Sequence, residues 1–376
     1  MLPARQAQTP SLRHVLAGAS ASLSGGDPLL RLPRARSAAV VLVDGLGSAP
    51  LAARAGHARR ILAAVPKKGG SIHSGFPSTT ASALASLTTG LLPGEHGLTG
   101  YSAVDARHDR VVTVLSDWDE RMQPRDWQPH PTLFETATAE GVEAAVIAPE
   151  RYRSTGFTEA VLRGARFVPA ATIADRIDAA VGELAAPGRR LVYVYIPELD
   201  SAGHAHGAAS EQWLHRLEEL DAALAPLERR LPHDAGVLLT ADHGMIDVPE
   251  HRRLVIAADD PVWEGVRHVA GEPRCLQLAL EGDADLEAAR ARWEAAEGSR
   301  SWVVTRQEAI DAGWFGAVSA EVLPRIGDLL IAARSAVAYY DERTATPRSL
   351  AMVGQHGSLS AEETRIPLAR WGVYAP

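Results

Sequence analysis

Three apolar runs constrain the fold of this chain more than any other feature: 38–44 (AAVVLVD), 191–196 (LVYVYI) and 236–242 (GVLLTAD). Each is continuous rather than alternating, so both faces must be buried, as in parallel strands covered by helices on either side. Helical patterns lie between them. One covers 132–140 and leads into a further apolar run at 142–148; a second covers 171–184. The longest covers 210–230, with Trp213, Leu214, Leu217, Leu220, Leu224 and Leu227 at helical spacing. Strand and helix in alternation predict an α/β sandwich with a mostly parallel central sheet flanked by helices. In such sheets reactive groups gather just beyond the carboxyl ends of the strands. With 376 residues, 46% of them apolar, the chain can bury one large core or two modest ones.

After Asp247 the rhythm changes. Short strands at 274–280, 301–304 and 328–333 alternate with helices at 285–296 and 306–312, which predicts a small inserted α+β cap over 254–338. The main core would then comprise 1–253 and 339–376. Composition excludes several partners. Forty-six acidic against 38 basic residues give a net charge of −8, and the only lysines are Lys67 and Lys68. No basic face for nucleic acid or an anionic membrane is therefore expected, and an anionic substrate must be recruited by positive charge inside its site. Cys275 is the only cysteine, which excludes an internal disulfide and a thiolate-rich zinc site. Arg5 and Arg13 are followed only by a short, Ser/Gly-interrupted stretch at 15–23, and no run reaches the roughly 18 apolar residues of a membrane span. The expectation is a soluble, cytoplasmic protein with no export signal.

The chemistry-bearing residues stand where the apolar runs stop. Asp44, Asp200 (just after the second run) and Asp242 are each ordinary turn or cap residues taken singly; three at one sheet edge suggest a site. His204 follows Asp200 by four residues, bringing both to one side of a helical turn. His243 follows Asp242 directly, before a glycine that permits a sharp turn, and His356 lies in a third glycine-flanked turn. Carboxylate and imidazole without sulfur suit Zn²⁺ and are usable by Mn²⁺ or Fe. Six such ligands can make two three-ligand sites with open positions. The segment 75–90 reads as a loop entering a helix, with Ser78, Thr79 or Thr80 near its N-terminus, either as a plain cap or as a hydroxyl nucleophile poised where an anion is attracted.

Taken together, Val-Leu-Val-Asp44-Gly, Phe76-Pro-Ser-Thr-Thr80, the stretch 87–97 (LTTGLLPGEHG), the stretch 195–204 (YIPELDSAGH), Thr-Ala-Asp242-His243-Gly-Met and Gly-Gln-His356-Gly resemble the alkaline phosphatase superfamily, in its nucleotide pyrophosphatase/phosphodiesterase branch. The resemblance implies an alkaline-phosphatase-like sandwich with two divalent metal ions, zinc by preference and manganese as the alternative. Asp200, His204 and His356 would hold one ion, and Asp44, Asp242 and His243 the other. Thr80 would be the nucleophile, bound also to the second ion, and would form a phosphothreonine intermediate. The substrate would be a small phosphate ester, possibly a nucleotide.

One position departs from that branch. Where its diesterases commonly carry an Asn that holds a phosphoryl oxygen, this chain has Tyr101, with Thr99 as a nearby donor, so these two are the expected substrate contacts. Within the same superfamily, sulfatases are disfavoured because Cys275 lacks their motif. A phosphomonoesterase would need an arginine, such as Arg151 or Arg153, and a phosphonate hydrolase would use nearly the same ligands. A metal-binding homologue without activity would show a missing ligand, and none is missing. His206 reads as solvent-facing, with contact to the substrate or support of the ligands as the alternative. His73, His96 and Asp247 read as loop-fixing residues, while His57, His215, His233 and His251 read as surface groups. The tryptophans read mostly as packing anchors; one of them, for instance Trp127 beside Asp126, could stack a nucleotide base, though the sequence does not single it out.

Overall fold

The computed structural model describes residues 2, 3 and 9–376; Arg5, invoked above for the export-signal argument, lies outside them. Its centre is a six-stranded sheet built from β1 (Ser37–Val43), β2 (Glu143–Ala148), β3 (Arg166–Pro169), β4 (Arg190–Ile196), β5 (Ala235–Thr240) and β6 (Ala369–Gly372). The spatial order is β6-β5-β1-β4-β2-β3, and only the edge strand β6 runs antiparallel. The sheet is therefore mixed and mostly parallel. Every residue of β1 and β5 is buried, which is why both read as unbroken apolar runs. Register then fixes the site: Val41 lies opposite Val194 on one side and Leu239 on the other. Chain segments leaving β1, β4 and β5 consequently emerge side by side.

Helices cover the sheet as expected, with one correction. α1 (Thr80–Thr89) is buried from Ala81 onward, and α2 (Ile173–Ala185) opens on a Thr172/Asp175 capping box. α3 (Glu198–His206) follows β4 directly. The single helix expected over 210–230 is two, α4 (Glu211–Ala223) and α5 (Ala225–Arg230), joined at Leu224. Pro226 explains the break. Inside a helix its ring would collide with the preceding turn, whereas at the start of a new helix its missing N–H costs nothing. The apolar spacing that suggested one helix persists because both segments pack on the same core.

A second, antiparallel six-stranded sheet runs in the order Ser301–Thr305, Leu329–Ala333, Cys275–Leu280, Val266–Glu272, Ser102–Asp105, Arg110–Thr113. The stretch 254–338 supplies four of these strands, and the segment after α1 supplies the other two. Trp263, Trp293 and Tyr339 anchor an apolar cluster of its own. Among the described residues no helix is long and apolar enough to cross a membrane, and Cys275 is buried.

Candidate metal centre and the cavity above it

Asp44 and Asp242 each follow a central strand, and the β1/β5 register sets them side by side. Both are buried, as is His243. Asp242 is held by its backbone neighbours, its Oδ1 accepting from the N–H of Gly45 at 3.1 Å and of His243 at 2.9 Å. Asp44 accepts from the Tyr195 hydroxyl. That leaves Asp44 Oδ1 and Asp242 Oδ2 buried with no hydrogen-bond partner, each 3.4 Å from His243 Nε2. His243 Nδ1 lies 2.9 Å from the Gly244 carbonyl. A carbonyl can only accept, so Nδ1 carries the proton and Nε2 offers its lone pair to the cluster.

The second group converges from two further segments. Asp200 and His204 sit one turn apart on α3, with His204 Nε2 3.3 Å from Asp200 Oδ1. Gly45, with φ +74°, lets β1 and α3 approach closely: a Cβ there would lie 3.0 Å from the Asp200 Cα. His356 arrives on the C-terminal turn. His204 Nδ1 lies 2.8 Å from the Gly354 carbonyl, and His356 Nδ1 lies 2.8 Å from the Ser78 carbonyl. Both Nδ1 protons are thus spent on backbone, and the two Nε2 lone pairs face one another at 3.2 Å. Asp200 Oδ1, buried and also without a partner, points at the same place.

Proton acceptors crowded together with too few donors between them repel one another, and a divalent cation resolves the conflict. Imidazole nitrogen and carboxylate oxygen are its natural donors. Two overlapping sets of potential ligand atoms each lie within 4.8 Å of one another, Asp200/His204/His356 and Asp44/Asp200/His243. Asp200 belongs to both and so stands between them, while Asp242 joins the inner set through His243. The His243 and His356 rings stack at 3.6 Å between centroids, which closes the two groups into one cluster. Electrostatics agree. Burial, followed by the charges of Asp242 and Asp200, holds Asp44 far above the usual carboxylate range, and Asp242 is raised chiefly by burial. Burial, with His243 and His204 nearby, holds His356 well below the usual histidine range, keeping it in the neutral form a metal requires.

Thr80 is the first residue of α1, and its Oγ1 lies 3.2 Å from His243 Nε2. The neighbouring hydroxyls stand differently. Ser78 donates to the Ser358 carbonyl at 2.7 Å, and Thr79 makes no capping bond. Above the cluster opens a cavity of about 780 Å³, lined near its floor by Thr79, Thr80, Asp200, His204 and His356. Its walls are largely apolar, with Tyr101, Tyr152, Tyr195, Arg151 and Arg348 as the other polar groups of note.

Not every expected residue reaches this cavity. Tyr101 lines it and is 44% exposed. Thr99 does not line it: its side chain is buried, with its hydroxyl donating to the Arg325 carbonyl at 3.2 Å, because the strand it precedes enters the second sheet. Trp127 is buried under the Arg325 guanidinium, 4.1 Å from its ring, and cannot stack a ligand; no tryptophan lines the cavity. Arg151 lines the wall, whereas Arg153 pairs with Glu150 outside it. His206 is exposed away from the cluster, as are His57, His215, His233 and His251. His96 is buried between Ser86 Oγ and the Leu98 N–H, and Asp247 accepts from the N–H groups of Ala208 and Ala209, so both fix loops. His73 lies in a short strand paired with Arg365–Pro367. Sequence reasoning passed over Tyr195, Tyr152 and Arg348. Tyr195 alone left a usable signal, since a β-strand faces alternate residues the same way and Tyr195 lies beside Leu42, two positions before Asp44.

This arrangement, an α/β sandwich with carboxylate and imidazole groups at the carboxyl edge of its sheet, is of the class able to hold divalent cations. Residues 38–359 match the type I phosphodiesterase / nucleotide pyrophosphatase family, and the chain belongs to that family. Solved structures share the fold at low identity. Murine ectonucleotide pyrophosphatase/phosphodiesterase 5 is 18% identical over 88% of this chain and 87% of its own, with a TM-score of 0.66. Phosphonoacetate hydrolase from Sinorhizobium meliloti 1021, in complex with phosphonoacetate, is 20% identical over 90% and 91%, with a TM-score of 0.69. An inactive form of the murine protein, 17% identical over 88% of this chain and 87% of its own with a TM-score of 0.66, is in complex with AMP. Family membership supports a phosphodiesterase or pyrophosphatase type of hydrolase.

Proposed function

We propose that this protein hydrolyses phosphodiester or nucleotide pyrophosphate bonds through Thr80, with Asp200, His204 and His356 holding one divalent cation and Asp44, Asp242 and His243 the other. The single observation carrying the reading is the Thr80 hydroxyl, 3.2 Å from His243 Nε2 on the cavity floor. Zinc is the preferred ion for this donor set, with manganese as the alternative. Cations in these positions would lower the proton affinity of the Thr80 hydroxyl and offset charge on the phosphoryl oxygens. Thr80 Oγ then gives up its proton to solvent and attacks phosphorus in line: the Oγ–P bond forms, the bond to one ester or anhydride oxygen breaks, and the departing oxygen takes up a proton from solvent. Free N–H groups at the start of α1 face the same anion. Water next attacks the phosphothreonine, returning Thr80 to its hydroxyl and releasing a phosphomonoester. Tyr101, at the cavity mouth, is the proposed substrate contact. The division into a core of 1–253 and 339–376 with a cap of 254–338 belongs to the same proposal, supported by the separate apolar cluster that this stretch builds together with Tyr339.

A phosphonate or phosphomonoester hydrolase is the second reading. Arg151 on the cavity wall favours it, since a guanidinium suits a doubly charged phosphoryl group, and the likeness in fold to phosphonoacetate hydrolase accords with it. Turnover of bis-p-nitrophenyl phosphate beside the matching monoester separates the two. The diester should be preferred, and Thr80→Ala should lower its turnover about a thousandfold or more. Diesterase activity surviving Thr80→Ala removes Thr80 from its role, and a faster monoester rate favours the second reading.

A further inference from the structure

In this chain of net charge −8 about half of the described arginines pair with a carboxylate, among them Arg110 with Asp119, Arg267 with Asp109, Arg306 with Asp328 and Arg343 with Asp341. Arg348 and Arg151 do not, and their place sets them apart from the other unpaired arginines. Both line the cavity, and among the described residues neither has a carboxylate within salt-bridge distance. Arg151 leans on its neighbour instead, its guanidinium 4.7 Å above the Tyr152 ring and Nη2 donating to the Tyr152 hydroxyl at 3.0 Å. Arg348, on the short helix Pro347–Ala351, lies near enough to Tyr101 for its charge to act on that phenol. Neither segment supplies a residue to the metal cluster. The one carboxylate lining the cavity, Asp200, has its unpartnered oxygen turned into that cluster.

The rest of the lining is chiefly apolar, including Leu84, Leu115, Phe157 and Met352. About 780 Å³ exceeds what a phosphoryl group needs and falls within the range of a drug-sized ligand. A cavity with an apolar body and two unanswered guanidinium groups is complementary to an apolar group that bears negative charge, because Arg presents a donor fork matched to carboxylate or phosphate oxygens. We propose that the organic group of the substrate carries a second anionic centre, a phosphate or a carboxylate, which Arg348 and Arg151 bind while the scissile phosphoryl group lies at Thr80. The inference rests on the hydrolase reading above and adds the class of substrate to it.

Zinc-loaded Thr80→Ala protein allows binding to be measured without turnover. Calorimetric titration would compare diphenyl phosphate, 4-carboxyphenyl phenyl phosphate, and the same diester with a phosphate monoester in place of the carboxylate. The two anionic ligands should bind about tenfold more tightly than diphenyl phosphate, and the tighter of the two identifies the natural source of charge. Adding Arg348→Ala or Arg151→Ala should remove most of that preference, and both together all of it, with diphenyl phosphate affinity held within about twofold. Equal affinity for all three ligands overturns the proposal, as does a preference that survives both substitutions or a uniform loss across the three. Turnover of bis-p-nitrophenyl phosphate and of the matching monoester by the unmutated enzyme is the separate check: absence of both, with the binding preference intact, removes the phosphoester-hydrolase reading and leaves the arginine subsite standing.

Discussion

The two halves of the cluster are built differently. In the inner half, Asp44, Asp242 and His243 are essentially sealed from solvent and sit at the ends of adjacent strands, so sheet register and backbone N–H donors fix their positions. In the outer half, the side chains of Asp200, His204 and His356 keep 17%, 21% and 11% of their exposure. They come from a helix and a C-terminal turn joined by packing, by the Val353 N–H donating to the His204 carbonyl at 2.8 Å and by the His204 Nδ1–H on the Gly354 carbonyl, while the His356 Nδ1–H reaches the Ser78 carbonyl. The inner half is a rigid floor that traps charge away from water, and the outer half is a wall that ligands and solvent can reach. A buried set suffers more from losing a donor, since nothing can enter to replace it.

The largest contrast should come from removing one ligand in each half. Asp242→Asn should lower diester turnover about a thousandfold and lose one metal equivalent that excess zinc does not restore. His204→Asn should also lose metal, yet recover a measurable part of both occupancy and rate as zinc is raised, because water can complete the outer set. Elemental analysis and rates across a zinc titration would show this. Identical behaviour of the two variants would erase the distinction between floor and wall.

A smaller effect sharpens the same point. Tyr195 donates to Asp44 from the cavity side, whereas the outer histidines are oriented by main-chain carbonyls that no substitution deletes. Tyr195→Phe should weaken metal binding about tenfold to a hundredfold, as expected for a group that orients a ligand. Competition with a chelator measures it, and an unchanged affinity would mean that the strand alone positions Asp44.

What the sequence reveals follows the same line. Asp44, Asp242 and His243 are legible because they abut apolar runs whose period declares a buried strand, and Asp200 and His204 because helical spacing puts them on one side. His356 is legible only by its resemblance-bearing motif, since nothing local to residue 356 predicts a turn folded back against α3. Partners set by tertiary packing leave no such trace. Thr99 and Tyr101 look equivalent in sequence, yet one is drawn under the second sheet and the other left at the cavity mouth. The helix break at Leu224 was encoded in Pro226, but the apolar spacing on either side masks it. Strands Ser102–Asp105 and Arg110–Thr113 joined a sheet whose other members lie more than 150 residues away, and short strands of that kind carry little periodic signal.

Glu272 provides the internal control for the whole comparison. Like the cluster aspartates it is buried with one carboxylate oxygen, Oε1, lacking any partner; its other oxygen accepts from the Tyr101 N–H at 3.0 Å. Among the described residues no imidazole bonds to it, so a proton rather than a cation must relieve it. Burial, reinforced by Glu363, accordingly pushes its carboxyl up to about 8. The sign follows from linkage. Below the ordinary carboxylate range both folded and unfolded chains are protonated there and the group contributes nothing. Between that range and about 8 the unfolded chain ionises freely while the folded one retains its proton, so stability falls as pH rises. Glu272→Gln imitates the protonated form and should flatten this slope, leaving the variant more stable than the parent at pH near 8.5 by on the order of 2 kcal/mol, with little difference near pH 5. Thermal denaturation of both proteins across that range, with zinc held constant, would decide it. Parallel curves would show that Glu272 is ionised in the fold and is matched by positive charge, which would place it with the cluster aspartates rather than apart from them.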